Sequence, residues 1–136
     1  MRHVAAVMLE DEFGRMLLQL RDNKPTIICP NMWSFFGGGI EMDEMPFDAA
    51  IREIKEELCI SLSPDRLSPF TIYGESSEKW LHVFHYSIDS AELTDIKLME
   101  GQQFGLWTQT QIETGVLDQH DVSPHAKDVF AKFFAN

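Results

Sequence analysis

The chain has 136 residues, of which 44% are hydrophobic and 24% charged, and its formal net charge is −11. That length suits one domain, residues 1–136, with one hydrophobic core, and the composition is ordinary for a soluble globular protein. So negative a field repels nucleic-acid backbones and acidic membranes, which excludes both as partners, and any phosphate handled here needs a cation in between. Cys29 and Cys59 form no CxxC pair and stand near no histidine at metal-ligand spacing. Reduced thiols and a cytoplasmic setting are expected. The apolar stretch Met1 to Leu9 is interrupted by Glu10-Asp11-Glu12. It is too short for a signal-peptide core plus cleavage site, and nothing approaches a membrane span.

Val4 to Leu9 reads as a strand, Asp11 to Gly14 as a turn and Met16 to Leu20 as the returning strand of a hairpin. Arg21 to Asn31, with two prolines, reads as a loop, and Trp33 to Phe36 as a short strand entering Gly37-Gly38-Gly39. Met45 to Leu58 is the clearest helix: Pro46 suits its first turn, and Phe47, Ala50, Ile51, Ile54 and Leu58 recur at helical spacing. Phe70 to Gly74 and Trp80 to Ile88 read as strands joined near Glu78-Lys79, and Phe104 to Trp107 as another. Ser123-Pro124 predicts the N-cap and first position of a last helix ending near Phe134. This order predicts an α/β (α+β) fold with a mixed sheet.

The chemistry concentrates around the glycines and the long helix. Glycines let the backbone approach a ligand or ion closely. Glu53, Glu56 and Glu57 stand at i+3 and i+4 spacing, so they are expected on one helix face, away from the apolar stripe. Three carboxylates held together repel, and a hard divalent cation with a preference for oxygen removes that penalty. Arg52, four residues before Glu56, offers either a surface salt bridge or a hold on a metal-binding carboxylate.

From Gly38, five residues lead to Glu44, and seven more lead to Arg52-Glu53-Ile54-Lys55-Glu56-Glu57-Leu58-Cys59-Ile60. The run resembles the Nudix box, G-x5-E-x7-R-E-U-x-E-E-x-G-U, where U is a bulky aliphatic. With each residue type at roughly 5–7% of an average chain, a chance match of its six polar or glycine positions at one start point is on the order of 10⁻⁷ to 10⁻⁸. The resemblance extends, less specifically, to the hairpin before the box and to the late strand and helix. It implies a Nudix-type α/β/α sandwich and Mg²⁺- or Mn²⁺-dependent attack of water on phosphorus in a small-molecule nucleotide. It makes Glu53, Glu56 and Glu57 the metal ligands, gives Gly38 or its neighbour Gly37 a carbonyl ligand, has Arg52 orient a glutamate and has Glu44 support the loop-helix junction. Several family members carry a Glu in an EGQ segment that binds metal or activates water, which assigns that role to Glu100 in Glu100-Gly101-Gln102.

Two positions depart from the pattern. Cys59 replaces the last glycine of the box, at a cost of about 1 kcal/mol if the left-handed helix exit is kept. Phe36 stands where Pro is frequent, either packing in the core or lining the pocket. Arg21, Phe35, Gly37 and Gly39 are expected to contact substrate, with Lys24 and Lys79 as further cations near phosphates. His82 and His85 fall on opposite strand faces and form no shared ligand pair, and the tryptophans read as core. Three activities fit: hydrolysis of a (d)NTP-type nucleotide to NMP and pyrophosphate, hydrolysis of a nucleoside-diphosphate sugar, or non-catalytic nucleotide binding. The intact glutamates argue against the last. Ala126 stands where the oxidised-purine branch uses Asn to read the base, which speaks against that activity. Monomer and homodimer are both compatible with the sequence.

Overall fold

The computed structural model describes residues 1–136. Strand β1 (Arg2–Glu10) turns back into β2 (Met16–Leu20) with Leu9 opposite Leu17. The Asp11 side chain makes this turn: its carboxylate accepts the N–H of Phe13 and Arg15 and the Nε–H of Arg15, the last at 2.7 Å. Gly14 follows at φ +80, a conformation that glycine enters without penalty.

The single strand expected at residues 33–36 is two. β3 (Trp33–Ser34) pairs with β2, and β4 (Phe36–Gly39) pairs antiparallel with β1. The chain changes partner at Phe35, whose carbonyl leaves both ladders and accepts the Gln19 side-chain N–H at 2.9 Å. β6 (Lys79–Ser87) runs parallel to β1 over its whole length and forms a hairpin with β5 (Leu67–Ser76). Pro69, which cannot donate to a ladder, sits at a register shift in β5. β7 (Gln103–Trp107) closes on the free edge of β2. The result is a seven-stranded mixed sheet with β1 in its interior.

Alternation along β1 and β2 assigns the two faces. Ala5, Val7, Leu9 and Leu17 pack with Ala49, Ala50, Ile54 and Leu58 of α1 (Pro46–Leu58). Ala6, Met8, Leu18 and Leu20 pack with Ala126, Val129 and Phe130 of α4 (Pro124–Phe134). One long helix per sheet face is the α/β/α sandwich expected. Phe36, fully buried, belongs to the core under α1. Ser123 begins α4, but its hydroxyl does not cap the helix; it donates to Ser34 Oγ at 3.2 Å.

Short elements escape periodicity because five residues make less than two turns. α2 (Ser90–Thr94) and α3 (Gln109–Glu113) are set instead by reciprocal capping boxes, Asp89 with Glu92 and Thr108 with Gln111. The small hairpin of β8 (Val116–Leu117) and β9 (His120–Asp121) lies between α3 and α4.

Cys59 ends α1 at φ 60 and ψ 27, with its N–H on the Lys55 carbonyl at 3.1 Å. The left-handed exit is therefore kept despite the missing glycine. Cys59→Gly relieves the Cβ penalty and adds unfolded-chain entropy, two terms of similar size, so stability is expected to stay level or rise by up to about 1 kcal/mol. Denaturant unfolding together with nucleotide turnover checks this. A loss of turnover would give the thiol a chemical role.

Candidate active site

The carboxylates of α1 do not share one environment. Glu56 is exposed, whereas Glu57, which flanks Ile54 at the border of the apolar stripe, is only 2% exposed and turned to the sheet. The expectation of a common polar face therefore fails at Glu57, because the helix is seated so that this side chain meets β4. Its Oε1 accepts the Gly37 N–H at 3.4 Å, and its Oε2 has no partner. Burial, with the charges of Glu100 and Glu53, pushes the Glu57 carboxyl up to about 9. Burial also raises Glu53, which lies over Gly38 so closely that a Cβ there would stand 2.4 Å from its Oε2.

Arg52 organises the outer side of this group. Its guanidinium meets both Glu44 oxygens at 2.8 Å, Glu53 at 2.9 Å and Glu56 at 3.2 Å, and also donates to the Gly39 carbonyl at 2.9 Å. Glu44 in turn accepts the Glu41 N–H, and the Arg52 hydrogen bonds hold its carboxyl down to about 2. The forked pair fixes the 39–44 loop to the helix.

No three carboxylate, imidazole or thiol side chains of the chain converge as a ready-made ligand cluster. Glu53 and Glu56 lean on Arg52 instead. The donor set nonetheless suits a hard divalent cation: an orphaned buried carboxylate oxygen, two neighbouring glutamates and a glycine backbone with no side chain in the way. Such an ion would balance charge that Arg52 alone does not.

The late segment joins this group from the opposite direction. The Met99 N–H donates to the Glu57 carbonyl at 2.8 Å, and the Gln102 N–H to the Leu20 carbonyl at 2.8 Å. Glu100 is thus pinned on both sides, with only itself and Gly101 between the anchors. Its charge reaches both Glu53 and Glu57. The Gln102 side chain donates to the Arg21 carbonyl and to Asn31 Oδ1, both at 2.8 Å, tying this segment to the 21–31 loop.

Beside the carboxylates, on the α4 side of the sheet, lies a cavity of about 330 Å³. It meets them through Gly37, Gly38 and Glu100, while Glu53, Glu56 and Glu57 stand behind that wall. Arg21 and Phe35 line it as expected, with Phe35 mostly buried against Phe130 and Arg21 Nε donating to the Ile28 carbonyl. Gly39 does not line this cavity: β4 turns its carbonyl toward Arg52, and its open side borders a second hollow. Lys24 is exposed and reaches only Asp22, at 3.7 Å. Lys79 lines the cavity, as does Arg2, which the sequence reading passed over. The two are register partners in the parallel β1–β6 ladder, a pairing no local pattern reveals. His125 was also passed over. It lines the cavity, with Nε2 at 3.0 Å from Ser34 Oγ.

No helix is long and apolar enough to cross a membrane. A family model described as NUDIX domain matches residues 1–128. The nucleoside triphosphatase NudI of Escherichia fergusonii is 24% identical over 119 residues, covering 81% of this chain and 83% of that protein. The m7GpppN-mRNA hydrolase NUDT17 of Danio rerio is 39% identical over 62 residues, 46% of this chain and 20% of that protein. The MutT protein from Methanosarcina mazei Go1 superposes with a TM-score of 0.75 at 20% identity, over 98% of this chain and 93% of that one, a likeness of fold. With the box on α1, the sandwich around it and a family match spanning nearly the whole sequence, the chain belongs to the NUDIX family and is a Nudix hydrolase.

Proposed function

We propose that the protein hydrolyses a (d)NTP-type nucleotide to NMP and pyrophosphate with Mg²⁺ or Mn²⁺. The observation that carries this is Glu57, buried with an unpartnered oxygen beside Glu53 and Glu100, at the edge of a cavity to which Arg2, Arg21 and Lys79 bring positive charge. Arg2 and Arg21 on one cavity, with Lys79 paired to Glu75 at 2.9 Å beside them, favour an anionic substrate in a chain of net charge −11. The name of the Escherichia fergusonii relative, a nucleoside triphosphatase, agrees with that class.

Glu53, Glu56, Glu57 and the Gly38 carbonyl would hold the cation, with Glu100 completing the set or taking a proton from the attacking water. When bound, the ion supplies charge neutralisation at the phosphoanhydride and acidifies water. Arg52 orients Glu53 and Glu56, and Glu44 fixes Arg52. The basic side chains hold the phosphates in position for attack. Phe35 presents its accessible edge to the remainder of the substrate.

A screen of nucleoside triphosphates and nucleoside-diphosphate sugars with Mg²⁺, resolving pyrophosphate from inorganic phosphate, tests the reading. NMP with pyrophosphate from a triphosphate is expected. Turnover of nucleotide sugars alone would replace the substrate class, and no metal-dependent turnover of any would leave a binding module.

Glu100 is expected to act in the chemical step more than in metal capture. Its segment is anchored independently of its own carboxylate, so Glu100→Gln should leave Mg²⁺ affinity within about twofold. kcat should fall about tenfold or more, toward the ~10²–10⁴ of a general base. Magnesium titration and steady-state kinetics on the same variant separate the two. Normal turnover would move the role to Glu56, because Glu44 is fully engaged by Arg52.

A further inference from the structure

A second hollow, bordered by Gly39 and Glu44, holds another group of donors. His3 on β1 and His82 on β6 face the same side of the sheet, because His82 is the register partner of Ala5, two residues along from His3. Their ring centroids are 5.2 Å apart, and His3 Nδ1 lies 2.9 Å from His82 Nε2. Two imidazole nitrogens at that separation share one proton and aim at one point between them. His85, by contrast, points to the opposite face and is engaged by Glu10 at 2.7 Å.

A metal ion bound through two imidazoles at ~2.0–2.1 Å in tetrahedral geometry needs its nitrogens roughly 3.3 Å apart, so replacing the shared proton requires opening the pair by only about half an ångström. Both rings stand on strand backbone held by the continuous β1–β6 ladder, so their spacing is built in rather than gathered on binding. They border a hollow also lined by Glu41 and Glu44. Glu44 is committed to Arg52, but the Glu41 carboxylate is 69% exposed and its only cationic neighbour is Arg52 at 3.8 Å.

We propose that His3 and His82 form a second cation site, a two-imidazole anchor whose remaining positions water fills, that takes a borderline transition-metal ion of the Zn²⁺, Ni²⁺ or Cu²⁺ type. Imidazole nitrogen favours such ions, whereas the carboxylates of α1 favour Mg²⁺ and Mn²⁺, so the two sites sort ions by chemistry. The net negative charge of the chain favours cation capture at both.

Calorimetric titration of ZnCl₂ into the protein, with MgCl₂ in excess to occupy oxygen-rich sites, tests this on the wild type, His82→Asn and Glu57→Gln. Zinc affinity should fall at least tenfold in His82→Asn, no less than the ~10- to 100-fold that even an outer-shell change costs a metal site. It should persist in Glu57→Gln, so the outcome is independent of the proposed hydrolytic function. Unchanged affinity in His82→Asn, or loss in Glu57→Gln, would overturn the proposal. Nuclear magnetic resonance of the unmodified protein guards against a variant that misfolds: substoichiometric Cu²⁺ should broaden the ring signals of His3 and His82 first. Equal broadening of all five histidines would likewise overturn it.

Discussion

Replacing Glu57 with Gln is expected to cut nucleotide turnover by about 10² or more while leaving the metal-free fold at least as stable. The first half follows from charge: Gln keeps the shape and can still accept the Gly37 N–H, but it removes the anionic oxygen that a divalent ion would bind, and metal charge stabilisation is worth several kcal/mol. The second half follows from burial. Folded Glu57 holds its proton up to about 9, far above the ordinary carboxylate range in which the unfolded chain releases it. The folded state therefore binds more protons than the unfolded state between those limits, and stability from this group declines as pH rises through them. Gln never ionises. With divalent ions removed by chelator, Glu57→Gln should melt higher than the wild type near about pH 8, and the difference should vanish below about pH 4.5, where both states of the wild type are protonated. Thermal unfolding across that range, beside steady-state kinetics with Mg²⁺, checks both halves. A variant that turns over normally would remove Glu57 from the metal site.

The second large effect is structural. Gly37→Ala should destabilise the protein by about 3 kcal/mol or more, at or beyond the upper end of ordinary overpacking. A Cβ at Gly37 would stand 2.0 Å from the Ala5 carbonyl oxygen and 2.8 Å from Ala6 Cα. Both are backbone atoms of β1, and Gly37 is the register partner of Ala6, so relief requires separating β4 from β1. That separation also moves the Gly37 N–H from Glu57 and shifts the wall between the cavity and the carboxylates. Gly39→Ala is the matched control, because nothing lies within 4 Å of its Cβ position, and a change below about 0.5 kcal/mol is expected there. Urea unfolding midpoints compare the two. Equal midpoints would mean that β4 is not held against β1 as described.

What the sequence revealed was whatever repeats locally or sits at fixed spacing. The β1–β2 hairpin has alternating apolar residues around a turn, and α1 has a stripe, a proline start and the box, so both were legible. Family resemblance gave Arg52 and Glu44 separate roles, orienting a glutamate and supporting the loop-helix junction, and the forked contact that joins the two comes from the structure alone. The break at Phe35 was not legible, because it depends on Gln19 capturing a carbonyl from a different strand. Neither was the burial of Glu57: helical spacing sets which residues are neighbours, while the seating of the helix on β4 sets which of them faces the sheet. The largest gap concerns the parallel β1–β6 ladder, formed by residues nearly eighty positions apart. That ladder brings Arg2 to Lys79 at the cavity and His3 to His82 on the opposite face. His125 reached the cavity through α4, and a histidine just inside a helix start carries no sequence signal of its own.

The most direct test of a cation-dependent hydrolase centred on Glu57 is the Mg²⁺ dependence of the initial rate of pyrophosphate release from a nucleoside triphosphate, measured for the wild type and Glu57→Gln. The wild type should release none in chelator, and its rate should rise to saturation with Mg²⁺, whereas the variant should stay at least about 10²-fold lower at every concentration. Release without divalent ions, or a variant curve that overlays the wild type, would contradict it.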